Sequence, residues 1–187
     1  VEKSDRVPQT ELLKEHGYEI LYLTDDVDEF ALKMMRDFDG KEFRSAADKD
    51  LGIEETAETE ESKARAEESK ELLRFMKDAL EGKVKDVRLS TRLKSHPVCL
   101  SADGGISLEM EKVLNTMPGD QKVQAERVLE LNADHPVFAK LKELFASNPD
   151  KVKSYAGLLY NQALLIEGLP IEDPVAFSTA VCDLMAE

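Results

Sequence analysis

The sequence has little cysteine and a marked deficit of basic residues. Only Cys99 and Cys182 occur among its 187 residues, and neither belongs to a CxxC motif or a Cys/His cluster. Two distant cysteines do not indicate a disulfide framework, so the chain is typical of a reducing, cytosolic-type compartment. The formal net charge of −14 argues against nucleic acids and anionic membranes as partners, because both are themselves negatively charged.

Long apolar runs and catalytic motifs are also missing. No apolar segment is long enough to span a bilayer, and no basic-then-apolar signal segment opens the sequence. We find no glycine-rich phosphate loop and no defensible Ser-His-Asp spacing. His16, His96 and His135 are scattered, which favours turn or cap positions over metal ligands. The acidic residues at 25–29 lack a calcium-loop pattern and are predicted to cap a helix. From these observations together, we expect no catalytic residue and no metal site in this chain.

The first third of the chain predicts a small α/β unit. A short helix at 10–17 precedes an apolar run at 18–23, which is typical of a strand buried on both faces. Apolar residues then recur with helical spacing at 27–38, after a predicted cap at Asp25 and Asp26, and residues 41–46 are a candidate second strand. Helix, strand, helix and strand in this order indicate an α/β arrangement.

A change in composition separates this unit from the rest. Residues 48–71 are acidic with few large apolar groups, which places a boundary at 52–59 before a long helix. Strands are predicted at 87–94, 97–102 and 127–132, the first with a wet face because polar and apolar residues alternate. Helices follow, so the predicted fold class is α+β, with a three-stranded sheet in the second domain.

A short amphipathic helix is predicted between two glycine-containing joints, Gly104-Gly105 and Pro118-Gly119. Its apolar residues follow helical spacing, and they are Ile106, Met110, Val113, Leu114 and Met117. Such a face usually closes a core. Methionine, however, is also common at surfaces that accept varied partners. From the pattern alone, both interpretations stay open.

The last residues predict two apolar helices joined by a short loop, an αα-hairpin. Gly168 and Pro170 end the first helix, and Asp173 with Pro174 begins the second. The hairpin either packs on the preceding helix or pairs with a second copy in a four-helix bundle. The residues predicted to form that interface are Tyr155, Leu158, Leu159, Gln162, Ile166, Phe177, Val181, Leu184 and Met185.

Four segments, in this order, resemble the carboxyl-terminal part of the 90-kilodalton heat-shock chaperones, and the bacterial members in particular. They are GYEILYLTDDVDEFALKMMRDFDGKEF, VRLSTRLKSHPVCLSA, LELNADHP and GLPIEDPVAF. The resemblance implies that residues 1–56 end the family's middle domain and that residues 60–187 are its C-terminal dimerisation domain. The closing DLMAE, in place of the acidic Met-Glu-Glu-Val-Asp tail of cytosolic eukaryotic members, favours a bacterial type and a cytoplasmic location.

The resemblance also implies a function. The family's ATP and Mg²⁺ site lies upstream, so this chain, which starts at Val1 without Met, is expected to be a fragment without cofactor or enzymatic activity. Its expected partners are a second copy of itself and non-native client proteins, which would contact the apolar face of the 106–117 helix. The alternatives are an enzyme fragment with a small-molecule site in residues 1–56, or a purely structural dimer tether. Stabilisation by a nucleotide or metabolite would favour the enzyme, and client binding would exclude the tether.

Limited proteolysis tests the predicted boundary. The first cleavage should fall between residues 52 and 65, because this acidic stretch has too little apolar surface to dock rigidly on either side. Mass spectrometry of the earliest fragments locates the cut. A first cleavage within 84–102 would instead mean that the strands predicted there are wrong.

Overall fold

The structure is a computed structural model that describes residues 8–46, 60–118 and 122–186. The boundary predicted at 52–59 lies outside the described residues. Mixed helices and small sheets confirm the predicted α+β class. In chain order, the elements are a 3₁₀ turn at Pro8–Thr10, α1 (Glu11–Glu15), α2 (Asp28–Met35), β1 (Asp37–Phe38), β2 (Lys41–Glu42), α3 (Glu60–Ala79), β3 (Asp86–Leu89), β4 (Val98–Ala102), α4 (Leu108–Thr116), β5 (Arg127–Leu131), α5 (Pro136–Ser147), α6 (Pro149–Glu167) and α7 (Pro174–Met185).

A three-stranded sheet organises the part of the chain that follows residue 60, with β5 in its centre. β3 runs parallel to β5 and β4 runs antiparallel to it. The register pairs Leu129 with Val87 on one side and with Leu100 on the other. Because paired residues share a face and successive residues alternate between faces, one face of the sheet is apolar. The other face carries Glu130, paired with Arg88 and Cys99.

Three helices cover the apolar face and form the core with it. Met76 of α3, Leu141 of α5 and Ala156 of α6 are completely buried in this cluster. The rings of Phe75 and Phe145 pack 5.3 Å apart, which joins α3 to α5. Full burial of a large apolar side chain contributes about 1.5–3 kcal/mol, so these contacts dominate the stability of the domain.

The predicted ends of the last helices are confirmed. His135 Nδ1 accepts the Val137 N–H at 3.2 Å as the N-cap of α5. Asp173 accepts the Ala176 N–H at 2.9 Å at the start of α7. Gly168 ends α6 in the left-handed conformation at φ 70°, which a residue without a Cβ adopts without strain.

The strand predicted at 18–23 is wrong. This segment has no regular structure, and Leu21 and Leu23 are exposed. A strand needs a hydrogen-bonding neighbour, and no strand in the described part of the chain pairs with it. The helix predicted over 27–38 is also shorter than expected, since α2 ends at Met35. Beyond it β1 and β2 form a short antiparallel hairpin, so the strand predicted at 41–46 is reduced to Lys41–Glu42.

The cap predicted at Asp25 and Asp26 is replaced by another arrangement. Val27 occupies the N-cap position of α2 and makes no side-chain cap hydrogen bond. Instead the Asp28 carboxylate accepts the N–H groups of Thr24 and Asp25, each at 3.0 Å. Asp28, which lies in the first turn of α2, therefore stabilises the backbone of the loop that precedes this helix.

The polar face of the sheet is buried around one ion cluster, and the predicted wet face of 87–94 is wrong. β3 ends at Leu89, and Glu130 is only 2% exposed. Its carboxylate accepts hydrogen bonds from Arg92 at 3.0 and 3.1 Å and from Arg88 at 2.5 Å. The hydroxyls of Ser101 and Ser90 donate to it at 2.7 and 3.0 Å. The polar residues that alternate in the sequence thus face a buried carboxylate.

The charge of this carboxylate is strongly favoured by its neighbours. Burial by itself would raise the pKa of Glu130, but the guanidinium groups of Arg92 and Arg88 and the hydrogen bond from Ser101 lower it to about 2. A lowered folded-state pKa contributes stability above the unfolded pKa, and this contribution is lost as the pH falls through the folded pKa.

Substituting Glu130→Gln should lower the free energy of unfolding at pH 7 by about 3–5 kcal/mol, because Arg92 and Arg88 lose their buried counter-charge. The difference from the unsubstituted protein should shrink as the pH falls from about 4.5 towards about 2. Urea unfolding at several pH values measures both effects. Glu143→Gln, at an exposed carboxylate paired with Lys140, is the matched control and should change little. A pH-independent difference for Glu130→Gln would contradict the assignment.

Candidate functional site

The helix α4 is attached to the domain by one side. Ser107 caps it by accepting the Met110 N–H at 3.0 Å, and the helix ends before Met117. Its buried residues are Leu108, which joins the core at 2% exposed, and Glu111. The buried part of the attachment therefore consists of one apolar and one charged side chain, and Asn115 adds an exposed contact by donating to the Val123 carbonyl at 2.8 Å and accepting the Val123 N–H at 2.9 Å.

Glu111 links α4 to the sheet and to α6. Its carboxylate pairs with Arg127 of β5 and accepts the Ala125 N–H at 2.9 Å. Arg127 in turn donates to the hydroxyl of Tyr160 on α6 at 2.6 Å. Burial alone would lower the pKa of Arg127, but its hydrogen bond to Glu111 and its contact with Tyr160 raise it. The sequence places Glu111 on the polar side of the helix, and the pattern alone does not indicate that this side is the docked one.

The predicted apolar face of α4 lies on the side away from this attachment. Within α4, Met110 and Val113 follow Leu108 by two and five positions, which at about 100° per residue places them about 160° and 140° around the helix from it. Met117 is 54% exposed, and the other four residues are half-buried: Ile106, Met110, Val113 and Leu114. The residues that α4 gives to the core are therefore not those of the predicted face, with the exception of Ile106, which packs at the edge of the core. Binding of clients to this face stays a prediction.

The N-terminal segment touches α4 at its first turn. The Ser107 hydroxyl donates to Glu29 of α2 at 2.8 Å, and the Lys33 ammonium lies 2.9 Å from the sulfur of Met110. Many apolar residues of this segment are exposed in the structure, although the sequence predicts them in a core. They are Tyr18, Leu21, Leu23, Val27, Met34, Met35 and Phe38.

The terminal hairpin presents a second apolar surface. In α7, whose residues are all described, none is buried, and Met185 is 82% exposed. Val175 of α7 and Leu165 of α6 are exposed as well. Among the residues predicted for the dimer interface, the chain itself buries Leu158 and Leu159. Tyr155, Ile166, Phe177 and Val181 are half-buried, and Gln162, Leu184 and Met185 are exposed.

The two thiols differ in environment, since Cys99 is buried and Cys182 is exposed. Cys99 is buried beside Glu130, and burial together with that negative charge raises its pKa well above the usual range. Cys182 is exposed on α7. Among the described residues no group of three or more His, Cys, Asp or Glu side chains is arranged to hold a metal ion. In that same part of the chain, no helix combines the length and apolarity needed to cross a membrane.

Comparison with known proteins identifies the class to which this arrangement belongs. The sequence model of the family described as Hsp90 protein matches residues 1–187, so the chain belongs to the Hsp90 family. Among curated relatives, the chaperone protein HtpG of Clostridium acetobutylicum is 59% identical over 184 residues, and that of Halalkalibacterium halodurans is 59% identical over 182. The HtpG of Alkaliphilus metalliredigens is 57% identical over 186 residues.

These matches cover 98%, 97% and 100% of this chain but only 29%, 29% and 30% of the three relatives. The chain therefore spans about three tenths of the length of the curated relatives that it matches. The resemblance to the bacterial heat-shock chaperones, inferred from four short segments, is confirmed.

Proposed function

We propose that this chain is the dimerisation and client-binding part of a cytoplasmic, ATP-dependent Hsp90-family chaperone. Residues 1–56 would end the middle domain, and residues 60–187 would form the C-terminal dimerisation domain. ATP and Mg²⁺ would bind upstream, where the whole protein would act as an ATPase, and this chain would hold no cofactor. The observation that carries the proposal is α7, an apolar helix without a buried residue at the end of a well-packed domain.

Pairing through the hairpin would cover this helix. Two hairpins related by a twofold axis form a four-helix bundle, in which each exposed apolar face packs on the other. Because Leu158 and Leu159 are already buried in the chain, contact between copies would fall mainly on Gln162, Ile166 and the exposed face of α7. Leu165, which is exposed, would add to it. Such pairing would hold two upstream ATPase domains at high effective concentration.

Leu184→Asp tests this pairing. It would place an unpaired charge in an apolar interface at a cost of several kcal/mol, on the order of the penalty for an unpaired buried charge, so dimer affinity should fall by orders of magnitude. Leu184 is exposed in the single chain, so each monomer should stay folded. Sedimentation at micromolar concentration and circular dichroism measure the two outcomes.

Thr179→Asp is the matched control, since it adds the same charge on another side of α7 and should leave the dimer intact. Deletion of residues 170–187 should also give a monomer. If the truncated chain sediments as the same dimer, the interface lies elsewhere and the proposal fails.

The apolar face of α4 is the proposed client-binding surface. It carries two methionines and no aromatic anchor, which suits weak contacts with varied apolar segments. Apart from Ile106, which packs at the edge of the core, none of its residues belongs to the core cluster formed by the described part of the chain. A partner that presents non-native apolar segments fits both properties.

Met110→Ala combined with Leu114→Ala tests this surface. Since both side chains are half-buried outside the core cluster, the free energy of unfolding should fall by no more than about 1 kcal/mol, between the values for exposed and core positions. Suppression of aggregation of a model client by the full-length protein should weaken. Leu108→Ala is the contrasting control, because removal of a core side chain costs about 2–5 kcal/mol.

A large loss of stability with client binding intact would show that the face closes a core. Unchanged client binding in a stable double variant would show that clients bind outside this face. Either result would contradict the assignment of client binding to the apolar face of α4.

A further inference from the structure

One carboxylate from the first helix reaches a loop that lies more than eighty residues further along the chain. Glu11 of α1 accepts the backbone N–H groups of Lys94 and Ser95, both at 3.2 Å. These two bonds reach one carboxylate oxygen, Oε2; the Ser95 hydroxyl donates to the other oxygen, Oε1, and His96 Nδ1 lies 3.0 Å from that same Oε1. Four polar groups of the β3–β4 loop therefore converge on a single side chain.

This loop has the chemistry of an anion-binding site, and Glu11 occupies it. Consecutive backbone N–H groups that point to one side form a concavity that prefers a negative charge, and a nearby hydroxyl adds to it. Partial burial by itself would raise the pKa of Glu11, but the hydrogen bonds from Ser95, His96 and Lys94 lower it. The ionised carboxylate is thus the form that the loop selects.

The residues around Glu11 show that the contact is a docking point. Its neighbour Leu12 is buried at 1% exposed, and Pro8 and Thr10 are buried beside it. A second tie lies on the same loop, since Arg92 donates to the carbonyl oxygen of Ala46 at 2.8 Å. The loop therefore receives both the beginning and the end of the described N-terminal segment, 8–46.

The β3–β4 loop is itself fixed by hydrogen bonds to the buried ion cluster around Glu130. Arg92 binds Glu130 with its remaining guanidinium nitrogens, and the Ser90 hydroxyl accepts the N–H groups of Arg92 and Leu93 at 3.3 and 3.2 Å. A rigid loop gives Glu11 a fixed target. A displacement of α1 would therefore break several hydrogen bonds at once.

We propose that Glu11 is a positioning residue, whose carboxylate fastens segment 8–46 to the β3–β4 loop and so fixes the orientation of this segment against the sheet domain. The inference is independent of client binding and dimerisation. It distinguishes Glu11 from Glu15, which pairs with the same loop only through the exposed ammonium of Lys94 at 3.2 Å.

The test compares Glu11→Ala and Glu11→Gln with the matched control Glu15→Ala in the full chain. Site-resolved amide exchange by NMR should show faster exchange at Lys94 and Ser95 in Glu11→Ala, on the order of tenfold or more, since two bonds to a charged acceptor are lost. Glu11→Gln keeps an acceptor oxygen without the charge and should give a smaller acceleration. Glu15→Ala should leave both amides at the unsubstituted rates. Amides of α6 should be unchanged in all variants.

Orientation is measured separately by electron paramagnetic resonance. Spin labels at Asp26→Cys and Lys140→Cys, with the exposed Cys182 replaced by Ser, report the distance from the segment to the sheet domain. Labelled chains are diluted into unlabelled protein so that pairing of chains adds no second distance. The distance distribution should broaden and shift in Glu11→Ala but not in Glu15→Ala.

Two results would overturn the proposal. Unsubstituted exchange rates at Lys94 and Ser95 in Glu11→Ala would show that the carboxylate does not hold the loop. Faster exchange with an unchanged distance distribution would show that the contact is local and fixes no orientation. If Glu11→Ala does not fold, the same two measurements on Glu11→Gln decide between these outcomes.

Discussion

The buried charge of Glu130 is the constraint around which this domain is arranged. A carboxylate at the centre of a three-stranded sheet is costly to bury unless several donors surround it, and here two arginines and two serines do so. These donors come from β3, β4 and the loop between them. The loop must therefore fold over the sheet, and only in that position does it offer its backbone groups to Glu11 of the N-terminal segment.

Charge and apolar surface are consequently separated between the two faces of the sheet. Leu129 and its paired neighbours pack against α3, α5 and α6, so the apolar face needs nothing outside the chain. The ends of the chain differ from this centre. The segment around Leu21 and the helix α7 leave large apolar groups exposed, which is typical of surfaces that other parts of a longer protein or a second copy cover.

The sequence correctly predicted those parts of the fold that depend on residues close to one another along the chain. The ends of α5, α6 and α7 were correct because His135, Gly168 and Asp173 act within one helical turn. The prediction of a strand at 18–23 was wrong because a strand depends on hydrogen-bonding partners that are often distant in sequence. The alternation of polar and apolar residues in 87–94 showed that one face of the strand is polar, but it did not show that this face surrounds a buried carboxylate. The sequence did contain one sign of the buried cluster. Glu130 lies inside the largely apolar segment RVLELN, where a charged residue indicates a buried partner.

Helical periodicity also predicted the two candidate surfaces, but it did not indicate how α4 is attached to the rest of the chain. Helical spacing predicted an apolar face that includes Met110 and Leu114, whereas docking through Glu111 depends on Arg127, sixteen residues later in the chain. This charged attachment has an evolutionary consequence. The two buried residues of α4, Leu108 and Glu111, are not those of its predicted apolar face, so selection for folding acts less strongly on Met110, Val113 and Leu114 than on this buried pair.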